Sequence, residues 1–180
     1  YNQPVFYTLP LNEQNKLREL ITNNENAQNE LWEKNATKLL SVLANQTDML
    51  VCAEDLGAVP PCVPSVLNQL NILSLRIERW ARNWSVPGSP YYSMGEYPRL
   101  SVCTTSCHDT SSLRGLWEEA DFDKQMYWRH TNIATAVPQN LAPPDVRNIL
   151  NHVFSANSLF CILPVQDFFA LSSTLSAKSA

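Results

Sequence analysis

The stretch LSVCTTSCHD, residues 100–109, decides the predicted fold. Apolar and small residues fill its first part, as in a buried strand, and His108 and Asp109 close it with two polar side chains. Three other apolar runs also predict strands, and two of these also end in polar pairs: residues 49–53, 72–80 and 158–167. Buried strands that finish in polar side chains are typical of a parallel sheet with a functional edge.

Amphipathic segments separate these strands. Helical spacing of apolar residues predicts helices over residues 12–22, 28–44 and 145–154, a short helix within 59–71 and another that begins at Leu113. Residues 83–98 are rich in Pro, Gly and Tyr and predict a binding loop. Strands that alternate with helices imply right-handed crossovers, so the sequence predicts an α/β fold with a parallel sheet.

Composition excludes several function classes. The 180 residues are 44% hydrophobic but only 17% charged, below the usual ~25%, which indicates a surface that something covers. A net charge of −4 argues against a nucleic-acid or membrane-surface partner, and no apolar run reaches the ~18 residues of a membrane span. An unrelated doubly wound enzyme is disfavoured because the four glycines form no phosphate loop.

The cysteines predict neither disulfides nor a metal site. Their number, five, is odd, and three lie in apolar runs, which favours reduced, buried thiols in a cytoplasmic protein. Cys103, Cys107 and His108 do not match a zinc spacing. We therefore expect no metal and no cofactor.

The polar strand ends suggest a chemistry. Because the carboxyl ends of parallel barrel strands meet on one face, carboxylates from different strands can converge on one sugar ring. Glycosyl transfer needs one carboxyl group to move a proton and others to stabilise positive charge on the sugar. The alternative is that a Glu-Asp pair after a strand only caps a helix. The polar ends in question are Glu54-Asp55, His108-Asp109 and Gln166-Asp167.

Two longer stretches identify a resemblance. CAEDLGAVPPCVPSVLNQLNILSLRIERW and YPRLSVCTTSCHDTSSLRGLWEE resemble the 4-α-glucanotransferase family of amylomaltases and disproportionating enzymes, and the likeness runs over residues 31–171. It implies a partial (β/α)₈ TIM barrel, strands 5–8 with their helices, within one catalytic domain. In that scheme residues 1–48 are a helical lead-in, residues 49–171 hold the four strands, and residues 172–180 are a tail.

The resemblance also implies roles for the polar residues. Glu54 matches the general acid/base, Asp109 the aspartate that stabilises the transition state, and His108 a histidine that binds the sugar. Asp55, Gln166, Asp167 and Trp84 are expected to support or contact the substrate. Three other aromatic residues near the predicted cleft are candidates for stacking on glucose rings: Trp80, Tyr91 and Tyr92. For Trp80, packing in the core is an equal alternative.

The family's nucleophilic aspartate, in a motif G-x-R-x-D, has no counterpart in the sequence. We therefore expect a fragment that begins after the nucleophile and is inactive alone, although its parent transfers maltosyl or glucosyl units of α-1,4-glucans by a retaining double displacement. Open half-barrel edges would favour self-association. Cys107 stands where the family usually has Thr. The alternative function is a non-catalytic carbohydrate-binding or assembly module.

Overall fold

The computed structural model describes residues 3–175, and the chain forms two compact units. The first comprises the residues up to Val51 together with Asp55–Ile72, and the second comprises Cys52–Glu54 together with the residues from Leu73 onward. Of the predicted tail, residues 176–180 lie outside the described residues.

The first unit is helical. A 3-10 turn, Pro4–Thr8, precedes helix α1, Leu11–Asn45, and helix α2, Val63–Gln69, follows later in the chain. Two separate helices predicted within α1 are in fact one helix. The asparagines at 23, 24 and 26 do not interrupt it, because each costs a helix only about half a kcal/mol relative to alanine.

None of the residues of α1 is buried. Trp32 and Leu39, whose spacing predicted the helix over residues 28–44, are 47% and 66% exposed. Helix α2 agrees with its prediction: Val66 and Leu67 are buried, and Asn71 ends the segment in the left-handed conformation with φ 54°.

The second unit contains a three-stranded parallel sheet in the order β1-β2-β3, which confirms the predicted sheet type. Its strands are β1, Ser74–Ile77; β2, Ser101–Thr104; and β3, Phe160–Cys161. Strand β1 pairs with β2 from Ser74 opposite Ser101, and Val102 of β2 lies opposite Phe160.

Two predicted strands are much shorter than expected. Residues 49–53 supply only one parallel bridge, Cys52 to Leu73, where the Ala53 amide donates to the Leu73 carbonyl at 2.7 Å. Residues 158–167 form the two-residue strand β3 and then a helix, because Pro164 has no N–H for the ladder and directly precedes helix α6, Val165–Phe169.

Three further helices pack in the second unit: α3, Leu113–Glu118; α4, Lys124–His130; and α5, Pro143–Phe154. Helix α4 escaped prediction because it is only seven residues long; Asp123 caps it by accepting a 2.8 Å hydrogen bond from the Met126 amide. The core combines an aromatic cluster with the buried face of α5: Trp117, Tyr127, Trp128, Val146, Ile149 and Val153.

All five cysteines are free thiols, but the expected burial is found only for Cys103: Cys62, Cys107 and Cys161 are half-buried, and Cys52 is exposed. A search of the described residues finds no helix with the length and apolarity to cross a bilayer.

Candidate active site

The loop after β2 presents the predicted His108-Asp109 pair to solvent. The loop turns where the Cys107 amide donates to the Thr110 hydroxyl at 3.0 Å. The His108 and Asp109 side chains are 80% and 65% exposed, with 3.3 Å between His108 Nε2 and Asp109 Oδ1. Both groups are therefore accessible to a ligand.

A cavity of about 380 Å³ lies beside Asp109. The Trp80 ring, 43% exposed, forms part of its wall, and the charged side chains of Arg79 and Glu119 form another part. An aromatic face beside a carboxylate is a suitable surface for a sugar ring, whose C–H face packs on the aromatic side chain. Among the predicted site residues that the structure describes, Asp109 and the stacking candidate Trp80 line this cavity.

Asp167 occupies a different environment from the one expected. It lies in helix α6 rather than at a strand end, and its side chain is fully buried. One carboxylate oxygen accepts from the Thr105 hydroxyl, and the other accepts from the Leu113 amide at 2.8 Å. Burial raises the pKa of the Asp167 carboxyl, and these two hydrogen bonds partly oppose the shift. The residue thus joins the two ends of the segment that carries Asp109.

Arg79, which sequence reasoning missed, braces the same segment. Its Nε donates to the Thr105 carbonyl at 3.0 Å and its Nη1 donates to Ser111 Oγ at 3.1 Å. Together with Asp167, the guanidinium fixes residues on both sides of the exposed pair. Sequence reasoning could not identify this role, because Arg79 lies inside the predicted strand over residues 72–80.

The remaining predicted residues lie elsewhere. Glu54 is exposed and follows the single bridge that Cys52 makes beside β1. Asp55 is half-buried and belongs to the first unit, where Gly57 adopts φ 78°, a conformation that favours glycine. Gln166 is half-buried in α6.

Trp84 is 67% exposed in the loop after β1. The Arg82 guanidinium lies 4.6 Å from the centroid of the Trp84 ring and 5.4 Å from that of Tyr91. This cation–π stack leaves Trp84 accessible, but it places the ring against a cation rather than against the Asp109 cavity.

A second group of titratable residues was not predicted at all. Glu78, His130 and His152 come from the turn after β1, the end of α4 and the last turn of α5. His130 Nε2 lies 3.3 Å from Glu78 Oε1 and 3.4 Å from His152 Nε2. Only the fold brings these residues together, since 52 and 22 positions separate them along the sequence (130 − 78 and 152 − 130).

The comparisons with known proteins agree on one family. The 4-alpha-glucanotransferase family model matches residues 6–177. The 4-alpha-glucanotransferase DPE2 of Oryza sativa subsp. japonica is 37% identical over 157 residues, which cover 85% of this chain and 16% of the rice protein. The 4-alpha-glucanotransferase of Chlamydia caviae is 35% identical over 136 residues, or 75% of this chain and 25% of that protein.

Solved structures give the same picture of the fold. Amylomaltase from Corynebacterium glutamicum matches with a TM-score of 0.57 and 19% identity, over 71% of this chain and 23% of that one. Amylomaltase from Streptococcus agalactiae in complex with acarbose matches with a TM-score of 0.56 and 14% identity, over 74% and 26%. The chain therefore spans a quarter or less of the curated relatives described above.

Proposed function

Since the chain belongs to the 4-alpha-glucanotransferase family, we propose that it supplies part of the active site of an enzyme that transfers α-1,4-glucan units. Its substrates are maltose or maltooligosaccharides and a glucan acceptor. The segment corresponds to strands 5–8 of a (β/α)₈ barrel whose remaining strands lie outside it, and whose catalytic nucleophile also lies outside it.

One observation carries the proposal. The Cys52 bridge, β1 and β2 are parallel neighbours, so Glu54 and the His108-Asp109 pair leave the sheet in the same direction. In barrels, catalytic side chains come from the carboxyl ends of different strands on one face. The exposure of Glu54, His108 and Asp109 leaves all three free to contact a substrate.

The open sheet edge supports a larger barrel. Strand β3 ends the described order of strands, and apolar side chains around it are exposed: Phe160 at 44%, Ile162 at 62% and Phe168 at 43%. An apolar edge of this kind normally pairs with another strand or is covered. Further strands of the same enzyme would cover it, and in their absence a second copy of the chain would do so.

Each residue has a role in a retaining double displacement. Glu54 donates a proton to the glycosidic oxygen while the nucleophilic carboxylate attacks the sugar carbon and forms a glycosyl-enzyme. The Glu54 carboxylate then takes the proton of the acceptor hydroxyl as that oxygen displaces the enzyme. Asp109 stabilises the positive charge that develops on the sugar, His108 hydrogen-bonds the sugar, and Trp80 stacks on it.

The test is a transfer assay on an enzyme that carries this segment within a full-length chain. Glu54→Gln and Asp109→Asn should each lower the transfer of glucose from maltose by at least about 100-fold. Matched changes at the exposed Glu33 and Asp48, to Gln and Asn, should leave the rate unchanged. Near-normal activity of Glu54→Gln would refute the assignment.

The 180-residue chain should show no turnover with maltooligosaccharides, because it lacks the proposed nucleophile. A thermal-shift titration separates this from the alternative function. Stabilisation of the chain by maltooligosaccharides would instead favour a carbohydrate-binding module.

A further inference from the structure

We propose that Glu78, His130 and His152 bind a divalent transition-metal ion, Zn²⁺ in particular. This site is separate from the Asp109 cavity, and the inference does not depend on the proposed glucan transfer. The three side chains offer one carboxylate oxygen and two imidazole nitrogens, all within 4.8 Å of one another.

Two of the three distances match the edges of a tetrahedral site, and the third, between Glu78 and His152, is within 4.8 Å. Zinc binds imidazole nitrogen and carboxylate oxygen at about 2.0–2.2 Å, so two ligand atoms on one tetrahedral ion lie about 3.4 Å apart. The separation is 3.4 Å between the two imidazole Nε2 atoms and 3.3 Å between His130 Nε2 and Glu78 Oε1. A small cation can therefore be bound by these atoms after only small movements of the side chains.

The burial of Glu78 is the second, independent observation. Its side chain has no exposed surface, and neither carboxylate oxygen has a hydrogen-bond partner. Burial, and then the negative charge of Glu78, raise the pKa of the Tyr127 hydroxyl. A buried carboxylate without hydrogen bonds is costly, and a bound cation removes that cost.

The protonation of His152 and the ring orientation of His130 both suit metal binding. Burial, and then the neighbouring His130, lower the pKa of His152, which favours the neutral imidazole that binds metals. His130 is held flat against the Tyr91 ring, with 4.6 Å between the centroids and 21° between the planes. Fixed ring orientation is characteristic of metal-binding histidines.

The surroundings provide a fourth position. A cavity of about 420 Å³ reaches both histidines and includes polar groups of Ser93, Asn132 and Ser155 in its wall. This volume admits water as the remaining ligand. Two imidazoles and a carboxylate are a set that zinc accepts, whereas Ca²⁺ and Mg²⁺ prefer oxygen ligands alone. The ion would link the turn after β1 to α4 and α5 within the second unit.

Titration of the metal-free 180-residue chain with Zn²⁺ and with Co²⁺ tests the proposal. Isothermal titration calorimetry should give one Zn²⁺ per chain, and Zn²⁺ should raise the melting temperature, because an ion bound only by the folded state stabilises it. Co²⁺ should give the visible absorption of a tetrahedral nitrogen and oxygen site without the near-ultraviolet bands of thiolate ligands.

The sequence offers a matched control, because it contains three histidines and only two belong to the cluster. His130→Ala and His152→Ala should each weaken Zn²⁺ binding by more than about 100-fold, since loss of a ligand exceeds the effect of losing a supporting contact. His108→Ala should bind as the parent chain does. Glu78→Gln should also lose the zinc-dependent rise in melting temperature.

Circular dichroism of each variant without metal shows whether it folds, and His152, which is partly exposed, is the change least able to disturb folding. The absence of stoichiometric binding would overturn the proposal. Binding that survives both cluster variants, or Co²⁺ spectra with thiolate bands, would overturn it equally, because the free cysteines would then be the ligands.

Discussion

Asp109 and Asp167 are both aspartates that the sequence places at the ends of parallel strands, yet the structure gives them opposite environments. The Asp109 side chain is 65% exposed beside a cavity, whereas Asp167 is fully buried between Thr105 and Leu113. Two identical carboxylates thus divide into one that can meet a ligand and one that holds the loop carrying the first. The local sequence around each aspartate does not distinguish these two roles.

Two buried side chains support the loop that carries Asp109. Arg79 and Asp167 contact the two ends of the segment, and each bonds a different group of Thr105: its carbonyl and its hydroxyl. An exposed functional pair needs such support, because side chains that bind a substrate must be held in position before the substrate arrives. The following predictions test this division, from the largest effect to the smallest.

Removal of the buried carboxylate should cause the largest loss of stability. Asp167→Ala leaves the Thr105 hydroxyl and the Leu113 amide without partners in a buried site, and we expect it to lower the free energy of unfolding by about 3 kcal/mol. Asp109→Ala is the matched control and should stay within about 0.5 kcal/mol of the parent chain. Urea unfolding followed by tryptophan fluorescence measures both. Equal effects would remove the distinction between the two aspartates.

A smaller change at the same contact should have an intermediate effect. Thr105→Val keeps the shape of the side chain but removes the hydroxyl that donates to Asp167, and should cost about 1–2 kcal/mol in the same assay. Thr22→Val on the exposed side of α1 makes the same chemical change without a buried partner and should be near neutral. If both variants unfold alike, Thr105 does not brace the loop.

The smallest expected effect is the dependence of stability on pH, which should involve the partly buried His152 and not the exposed His108. The pKa of His152 is lowered in the folded protein from its ordinary 6.5, chiefly by burial, so below that pH the unfolded state binds more protons than the folded state. The free energy of unfolding should therefore fall as the pH drops from about 7.5 to about 5.5.

Urea unfolding in EDTA at several pH values measures this slope. His152→Ala should flatten it, whereas His108→Ala should preserve it, because His108 is exposed. A slope that persists unchanged in His152→Ala would show that other groups control the dependence on pH.

Several features could be predicted from sequence for physical reasons. The apolar spacing of Val146, Ile149, Leu150 and Val153 predicted a helix, and all four are buried in α5. The apolar run 100–109 predicted a buried strand, and β2 is fully buried, although it ends at Thr104. In both segments local periodicity matches the burial that the fold imposes.

Other features were beyond sequence reasoning. Residues 49–53 and 158–167 have strand-like composition, but the length of a strand depends on how many residues pair with a neighbouring strand. In the structure, residues 49–53 make one bridge, and residues 158–167 contain a strand of only two residues. The burial of Glu78 was also not predicted, because residues 72–80 were expected to form one strand, whereas β1 ends at Ile77 and a 3-10 turn begins at Glu78.

The sequence by itself determined the parallel α/β order, the family likeness and the identity of the polar residues that follow the strands. These properties depend only on local sequence patterns and motifs. Only the tertiary structure decided which of those residues are exposed and which are buried, and only it brought Glu78, His130 and His152 together. The physical reason is that burial and ligand geometry arise from contacts between segments far apart in the chain, and no local pattern encodes such contacts.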